Sequence, residues 1–299
     1  MSDCLPISPD QHGHVPLGAC KAIWPFHPNF QVNLAIAVVF GLLTVAHTAQ
    51  ALLYRKRFCW TMVMAGMWET VAFVLRTLGA KDGRVIPYYV VSTVLFILAP
   101  LWINAFLFML CSRCITASLQ DAKVYGIRSS WLTKLFVGAD VICFVIQAYG
   151  SGLMSSTGGE VSPAKVKTGQ IVYLIGCAIQ LVFIFLFGLL MSRFYRDIRY
   201  VQSPELPFKR IRILCWTIII RLVFRLAEFG PGVNHDNPLL YKEVYALALD
   251  AAPMIVALFL FNIIHPGLML SNLVAAGKRV AYGRLQDGES NIELTGTSC

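Results

Sequence analysis

The sequence is short of charge. Asp, Glu, Lys and Arg together make up 14% of its 299 residues, against about 25% in an ordinary soluble domain. A water-soluble fold of this length cannot cover its surface with so few charges, and a disordered chain would be richer in them. Cysteine is also sparse, nine residues in all, which excludes a disulfide-built secreted scaffold. No G-x-x-x-x-G-K-[ST] run occurs, so ATP hydrolysis on a P-loop is excluded. No G-x-S-x-G elbow and no N-x-[ST] glycosylation site occur either. What the chain has in quantity is apolar side chain, at 57%. That balance leaves an all-α polytopic membrane protein.

Seven apolar segments, at roughly 31–54, 58–79, 86–111, 131–153, 169–191, 211–230 and 241–264, each approach or exceed the ~20 residues that cross a bilayer core. The expected fold is a seven-helix bundle over 31–267, with tails at 1–30 and 268–299. The first segment is too long for a signal-peptide core and ends in Arg55-Lys56-Arg57 rather than in small residues. Sixteen of the 25 Lys and Arg fall in the loops after segments 1, 3 and 5 and in the C-tail. Six fall in the N-tail and the other loops, and Arg76, Arg221 and Arg225 lie inside spans. The positive-inside rule then puts the N-terminus outside and the C-terminus in the cytosol. The net charge of +9 is this bias, facing anionic lipid headgroups, and not a nucleic-acid surface.

The remaining special residues point to little chemistry. Cys59, Cys111, Cys143, Cys177 and Cys215 read as small buried hydrophobes. The Cys111/Cys114 pair at a cytosolic helix end reads as a palmitoylation site. Cys4 and Cys20 face the oxidising side, where a bridge can form. His12, His14 and His27 in the N-tail lack metal-site spacing, and His47 with His265 make a poor zinc pair. His47 reads as a hydrogen-bonded core residue. No bound metal or cofactor and no enzymatic activity are expected.

The charges inside the spans are the informative residues, because each costs at least about 2.5–3.5 kcal/mol at mid-bilayer. Segment 2 carries Glu69 and Arg76, and segment 4 carries Asp140 and Gln147. Segment 6 carries Arg221, Arg225 and Glu228, and segment 7 carries Glu243 and Asp250. Within each segment the spacing of seven, or of four and three, puts the set on one helix face. Five acids stand against three arginines, and pairing across helices is the expected compensation. Two readings follow. One is a buried ion-pair network that sets helix register. The other is a polar cavity open to the outer side, lining a path for an amphipathic solute. Pro100 and Pro253 are expected to kink segments 3 and 7, with Asn104 satisfying a carbonyl freed by Pro100.

These residues resemble the fungal lipid-translocating exporter family over about 30–267. The marks are Phe40-Gly41, His47 and Gln50; Glu69 and Arg76; Leu98-Ala99-Pro100, Ala105, Met109 and Arg113; Asp140, Gln147 and Gly150; Gly176 and Gln180. The most specific run is Arg221, Phe224-Arg225, Glu228-Phe229, Gly230 and Gly232, then Glu243, Asp250, Pro253-Met254 and His265-Pro266-Gly267. Phe73, Phe108 and Leu247 stand where the family carries tyrosine, and Ser112 where it carries glycine. The resemblance implies a seven-helix plasma-membrane protein that moves or exports amphipathic lipids, sphingoid bases or sterol-like toxicants. Membrane lipids and such a solute are its implied partners. The solute-binding set it implies is Glu69, Arg76, Asp140, Gln147, Arg221, Arg225, Glu228, Glu243 and Asp250. A seven-helix sensor of lipid asymmetry is the alternative.

Overall fold

The computed structural model describes residues 24, 26–55, 57–83, 85–118, 123–124, 127–154, 163–199, 205–231 and 237–263. Cys4, Cys20, His12, His14, Gly232, His265 and both tail expectations fall outside the described residues.

Helix follows helix along the chain. The long ones are α1 (Phe30–Tyr54), α2 (Trp60–Lys81), α3 (Ile86–Ser118), α4 (Ser129–Met154), α5 (Pro163–Arg199) and α6 (Glu205–Phe229). Then come two short helices, α7 (Pro238–Tyr241) and α8 (Glu243–Ala246), a π turn at Leu247–Ala251, and α9 (Ala252–Ile263). A two-residue antiparallel ladder, Lys123–Val124 with Ile127–Arg128, joins α3 to α4. Six stretches are long and apolar enough to cross a membrane: Phe30–Tyr54, Arg57–Lys81, Ile86–Thr116, Ser130–Met154, Ala164–Arg196 and Glu243–Ile263. The remaining expected segment, the sixth at 211–230, lies in α6, which is also 25 residues long but carries four arginines, a lysine and two glutamates.

Each helix packs on the next, and α9 returns to both α6 and α1, so the bundle closes on itself. Side chain–backbone bonds seal that closure. His47 Nε2 meets the Leu258 carbonyl at 3.0 Å, Gln50 Nε2 donates to the Asn262 carbonyl at 2.7 Å, and Asn262 Nδ2 donates to the Leu43 carbonyl at 3.1 Å. His47 is thus the core residue expected of it. The start of α1 is capped by Asn29, whose side chain accepts from the amides of Gln31 and Val32 at 3.0 and 3.2 Å, a device worth about 1 kcal/mol.

The distribution of side chains is that of a lipid-embedded bundle. Leu42, Val45, Leu53, Ile142, Val182, Phe185 and Phe259 point outward and are all more than half exposed. Asn33, Glu69, Arg76, Asp140, Arg221 and Asp250 are buried among the helices. Hydroxyls inside the helices turn back onto their own backbone, as Thr44 does to Phe40, Thr70 to Gly66 and Thr77 to Phe73, so that these donors are satisfied within the helix. Cys111 and Cys114 are 1% and 0% exposed. That corrects the palmitoylation expectation, because acylation needs an accessible thiol.

Helices α4 and α5 approach most closely at glycine. A methyl group on Gly150 would meet the Gly169 carbonyl and the Tyr173 amide at 2.6 Å, and one on Gly176 would meet Gln147 Cγ at 2.8 Å. Small residues let two backbones pack at this range in lipid. This contact fixes the relative height of Gln147 on α4 and Gln180 on α5.

Candidate functional site

Helix α6 brings Arg221, Arg225 and Glu228 to one face, as their spacing predicts, and that face meets the π turn. Asp250 is fully buried there. Its Oδ1 is in ionic contact with Arg221 Nε, and its Oδ2 accepts from Arg225 Nη2. Arg225 Nη1 donates to Glu228 Oε2 at 2.8 Å. Two cations and two anions therefore compensate one another, a condition for keeping ions in a low-dielectric interior.

The π turn is what delivers Asp250. The Ala252 amide bonds to the Leu247 carbonyl, five residues back. The widened turn sits just before Pro253, a residue that cannot donate to an α-helical ladder. Turns of this kind recur at functional sites.

Pro100 has a matching consequence on α3. Its missing N–H leaves the Phe96 carbonyl, four residues earlier, without a helical donor. Arg221 Nη2 fills that position at 3.1 Å. The expected satisfaction by Asn104 is thereby corrected: Asn104 instead gives its amide to Asp140, at 3.1 and 3.0 Å to the two carboxylate oxygens. The Phe96 ring is surrounded as well. The guanidinium carbons of Arg76, Arg225 and Arg221 lie 4.4, 5.4 and 5.8 Å from its centroid, within cation–π range.

A second polar cluster crosses α3, α4 and α5. Besides the two Asn104 bonds, Asp140 accepts from Gln180 Nε2. Gln180 Oε1 in turn accepts from Gln147 Nε2 at 2.8 Å. Between the two clusters lies a cavity bounded by α3, α4, α5, α6 and α9. Its polar lining comes from Asn104, Gln147, Tyr173, Gln180, Thr217, Arg221 and Arg225, and Pro100 and Pro253 both border it. It offers about 40 Å³ to the centres of water molecules, room for a few waters.

The expected set thus divides. Gln147, Arg221 and Arg225 line the cavity, Asp140 stands behind Asn104 and Gln180, and Asp250 and Glu228 stand behind the arginines. Glu69, Arg76 and Glu243 do not line it. Glu243 ties helix starts together: its Oε1 accepts from Asn33 Nδ2 at 2.6 Å and its Oε2 from the Asn29 amide at 2.9 Å. Glu69 is fully buried, and among the described residues neither of its oxygens has a hydrogen-bond partner. Arg76 packs its guanidinium among Phe26, Phe73 and Phe96 in place of a carboxylate. Among the described residues, pairing of arginine with carboxylate across helices therefore holds for Asp250 alone.

Phe96, Thr217 and Tyr173 escaped the sequence reading, since an aromatic or hydroxyl in an apolar run carries no signal of its own. Asn104 carried a weak one, as an amide inside a span.

These features define a multi-pass α-helical integral membrane protein with a compensated polar interior and a small cavity at its centre. Residues 62–272 match the family model described as RTA1 like protein, and the chain belongs to that family. It is 34% identical over 282 residues to the probable lipid transporter atnI of Emericella nidulans, an alignment covering 89% of this chain and 73% of that protein. It is 25% identical over 288 residues to the sphingoid long-chain base transporter RSB1 of Saccharomyces cerevisiae, covering 80% and 72%. It is 28% identical over 199 residues to protein RTM1 of the same yeast, covering 64% and 62%. No solved structure matches.

Proposed function

We propose that this protein moves amphipathic lipids or lipid-like toxicants across the plasma membrane without hydrolysing ATP. The observation that carries the reading is a largely apolar cavity with three amides and two arginines in its wall, inside a bundle whose outer face is apolar. Such a bundle sets a polar headgroup inside the protein while the tail stays in lipid. The names of the two transporter relatives support the same reading. In this proposal α6 also spans the membrane and brings the count to seven. Its arginines are tolerated at depth because Asp250, Glu228 and the Phe96 carbonyl meet them. The N-terminus lies outside and the C-terminus in the cytosol, as the loop charges require.

Of the in-span carboxylates that could meet an ammonium headgroup, Asp250 is occupied by two arginines. The role passes to the Asp140 cluster, which has no cation on it among the described residues. Arg221 and Arg225 form the opposite wall, with Glu228 behind Arg225.

The test is reconstitution. Purified protein in sealed liposomes should speed the transbilayer movement of a fluorescent single-chain amine lipid several-fold over empty liposomes, with no nucleotide present. Flux equal to empty liposomes, together with a ligand-dependent cytosolic partner, would replace transport by sensing.

A further inference from the structure

The segment ahead of α1 lies across the end of the bundle where α2 finishes and α3 begins. Trp24, Phe26 and Asn29 belong to no helix or strand, and their contacts fasten the segment. The Trp24 ring is buried against Gly79 of α2, where a methyl group would run into its Cζ2. Only glycine leaves this notch open. Tyr89, in the first turn of α3, meets the same ring edge-on at 5.0 Å. Phe26 packs on Trp24 with centroids 6.4 Å apart, and its ring lies 6.0 Å from the Arg76 guanidinium carbon. The Asn29 amide then donates to Glu243 Oε2 at 2.9 Å. The strap is thereby tied to α2, to α3 and to the start of the last span.

A series of cations and rings begins beneath it. Phe26 meets Arg76, Arg76 stands 4.4 Å from the Phe96 ring, and Arg225 stands 5.4 Å from that ring and lines the central cavity. Arg76 is buried, and among the described residues its Nε and Nη1 have no hydrogen-bond partner. Trp24 Nε1 is buried without a partner in the same way. Lifting the strap would give these three N–H groups to water and would expose the Trp24 and Phe26 rings. Solvating orphaned donors and exposing large rings are opposing terms of the same order, so the closed position is reversible.

We propose that Trp24, Phe26 and Asn29 form a plug that shuts water out of the Arg76–Phe96–Arg225 series and opens when Trp24 leaves the Gly79 notch. A cap that served packing alone would cover apolar side chains; this one covers a guanidinium with unmade bonds. Its placement on the outer side, and any part in admitting a solute, rest on the transport reading. Control of water access to Arg76 does not.

The experiment puts a thiol behind the plug. Ser92 is fully buried on α3, one turn from Tyr89, whose carbonyl its hydroxyl meets at 3.0 Å, and one turn from Phe96. Ser92→Cys changes its volume little. The full chain in lipid nanodiscs is treated with a charged methanethiosulfonate, and peptide mass spectrometry reads each modified position. Native Cys111, buried on the same helix, reports unfolding. With the strap intact, the Ser92→Cys thiol should react slowly. Trp24→Ala and Gly79→Val, each added to Ser92→Cys, should speed its reaction at least about tenfold, a shift of about 1.4 kcal/mol in local opening, while Cys111 stays protected. Trp24→Phe, which keeps a ring against Gly79 and Tyr89, should change it less. If one variant fails to fold, the other carries the test. Equal rates with and without the strap substitutions would overturn the plug. So would a parallel rise at Cys111, because the strap would then hold the whole fold and not one opening. Release of the plug without flux in liposomes removes the transport reading and leaves the plug standing; flux with equal rates does the reverse.

Discussion

Phe96 and Arg221 are joined twice. The guanidinium donates to the Phe96 carbonyl at 3.1 Å and also lies 5.8 Å from the centre of the Phe96 ring. The carbonyl is available because Pro100 cannot bond to it, and the ring is the platform shared with Arg76 and Arg225. A helix kink on α3 and the charge cluster on α6 are therefore one unit.

Phe96→Leu keeps the volume nearly constant and removes the platform for three cations. Cation–π contacts are worth about 0.5–2 kcal/mol each, so a loss of about 2–3 kcal/mol is expected. Thermal unfolding in detergent checks it. Phe96→Tyr, which keeps the ring, should lose less than Phe96→Leu.

Asp250→Asn should cost more than Glu228→Gln. Asp250 answers two guanidiniums and is fully buried, whereas Glu228 answers one. Removing one side of a buried pair costs about 3–5 kcal/mol. Arg221→Lys should not be tolerated well, since one ammonium cannot serve Asp250, Phe96 and Met254 together. Expression and melting temperature rank the three variants, and a Glu228 variant weaker than the Asp250 variant would contradict the assignment.

Glu69→Gln or Glu69→Met should leave stability unchanged or raise it by about 1–3 kcal/mol, because a buried carboxyl without partners is a cost to the fold. A large loss of stability in both would mean that the carboxylate is an essential counter-charge for the nearby arginines. The same melting experiment decides.

Two glycines on one helix should behave oppositely. Gly138→Ala meets open space and gains about 1 kcal/mol of helix propensity. Gly150→Ala gains the same propensity but drives a methyl into the backbone of α5 at 2.6 Å, and overpacking costs about 1–3 kcal/mol. The pair of melting temperatures should straddle the wild type.

Cys111 and Cys114 should resist a maleimide in the folded protein and react after denaturation, since both thiols are buried. Mass spectrometry of protein from its native membrane should find neither acylated.

Much of this was legible in the sequence, and the reasons are physical. Hydropathy marks a span because lipid tolerates nothing else, so the segments emerged with helix ends off by a few residues; the segment at 169–191 proved to be part of Pro163–Arg199. Spacing identified the Arg221, Arg225 and Glu228 face because α6 is regular there. It failed for Glu243 and Asp250, whose separation of seven spans the π turn, and they serve different neighbours: Asn33 and Asn29 for one, the two arginines for the other. Asn104 was assigned to the carbonyl freed by Pro100 because the proline lies only four residues away. The stronger partner, Asp140, lay on another helix. Phe96 was invisible because its part is played by a carbonyl and a ring face.

The π turn has a further meaning. One extra residue in a helix rotates everything beyond it by about a quarter-turn. Residues Leu247–Ala251 thus act as a phase shift between the start of the last span, fastened to α1 through Glu243, and its second half, fastened to α1 through Asn262. With both ends held, the surplus residue has nowhere to go. Losing a single alanine from this turn would preserve every charge in the chain and still swing Asp250 off its arginines.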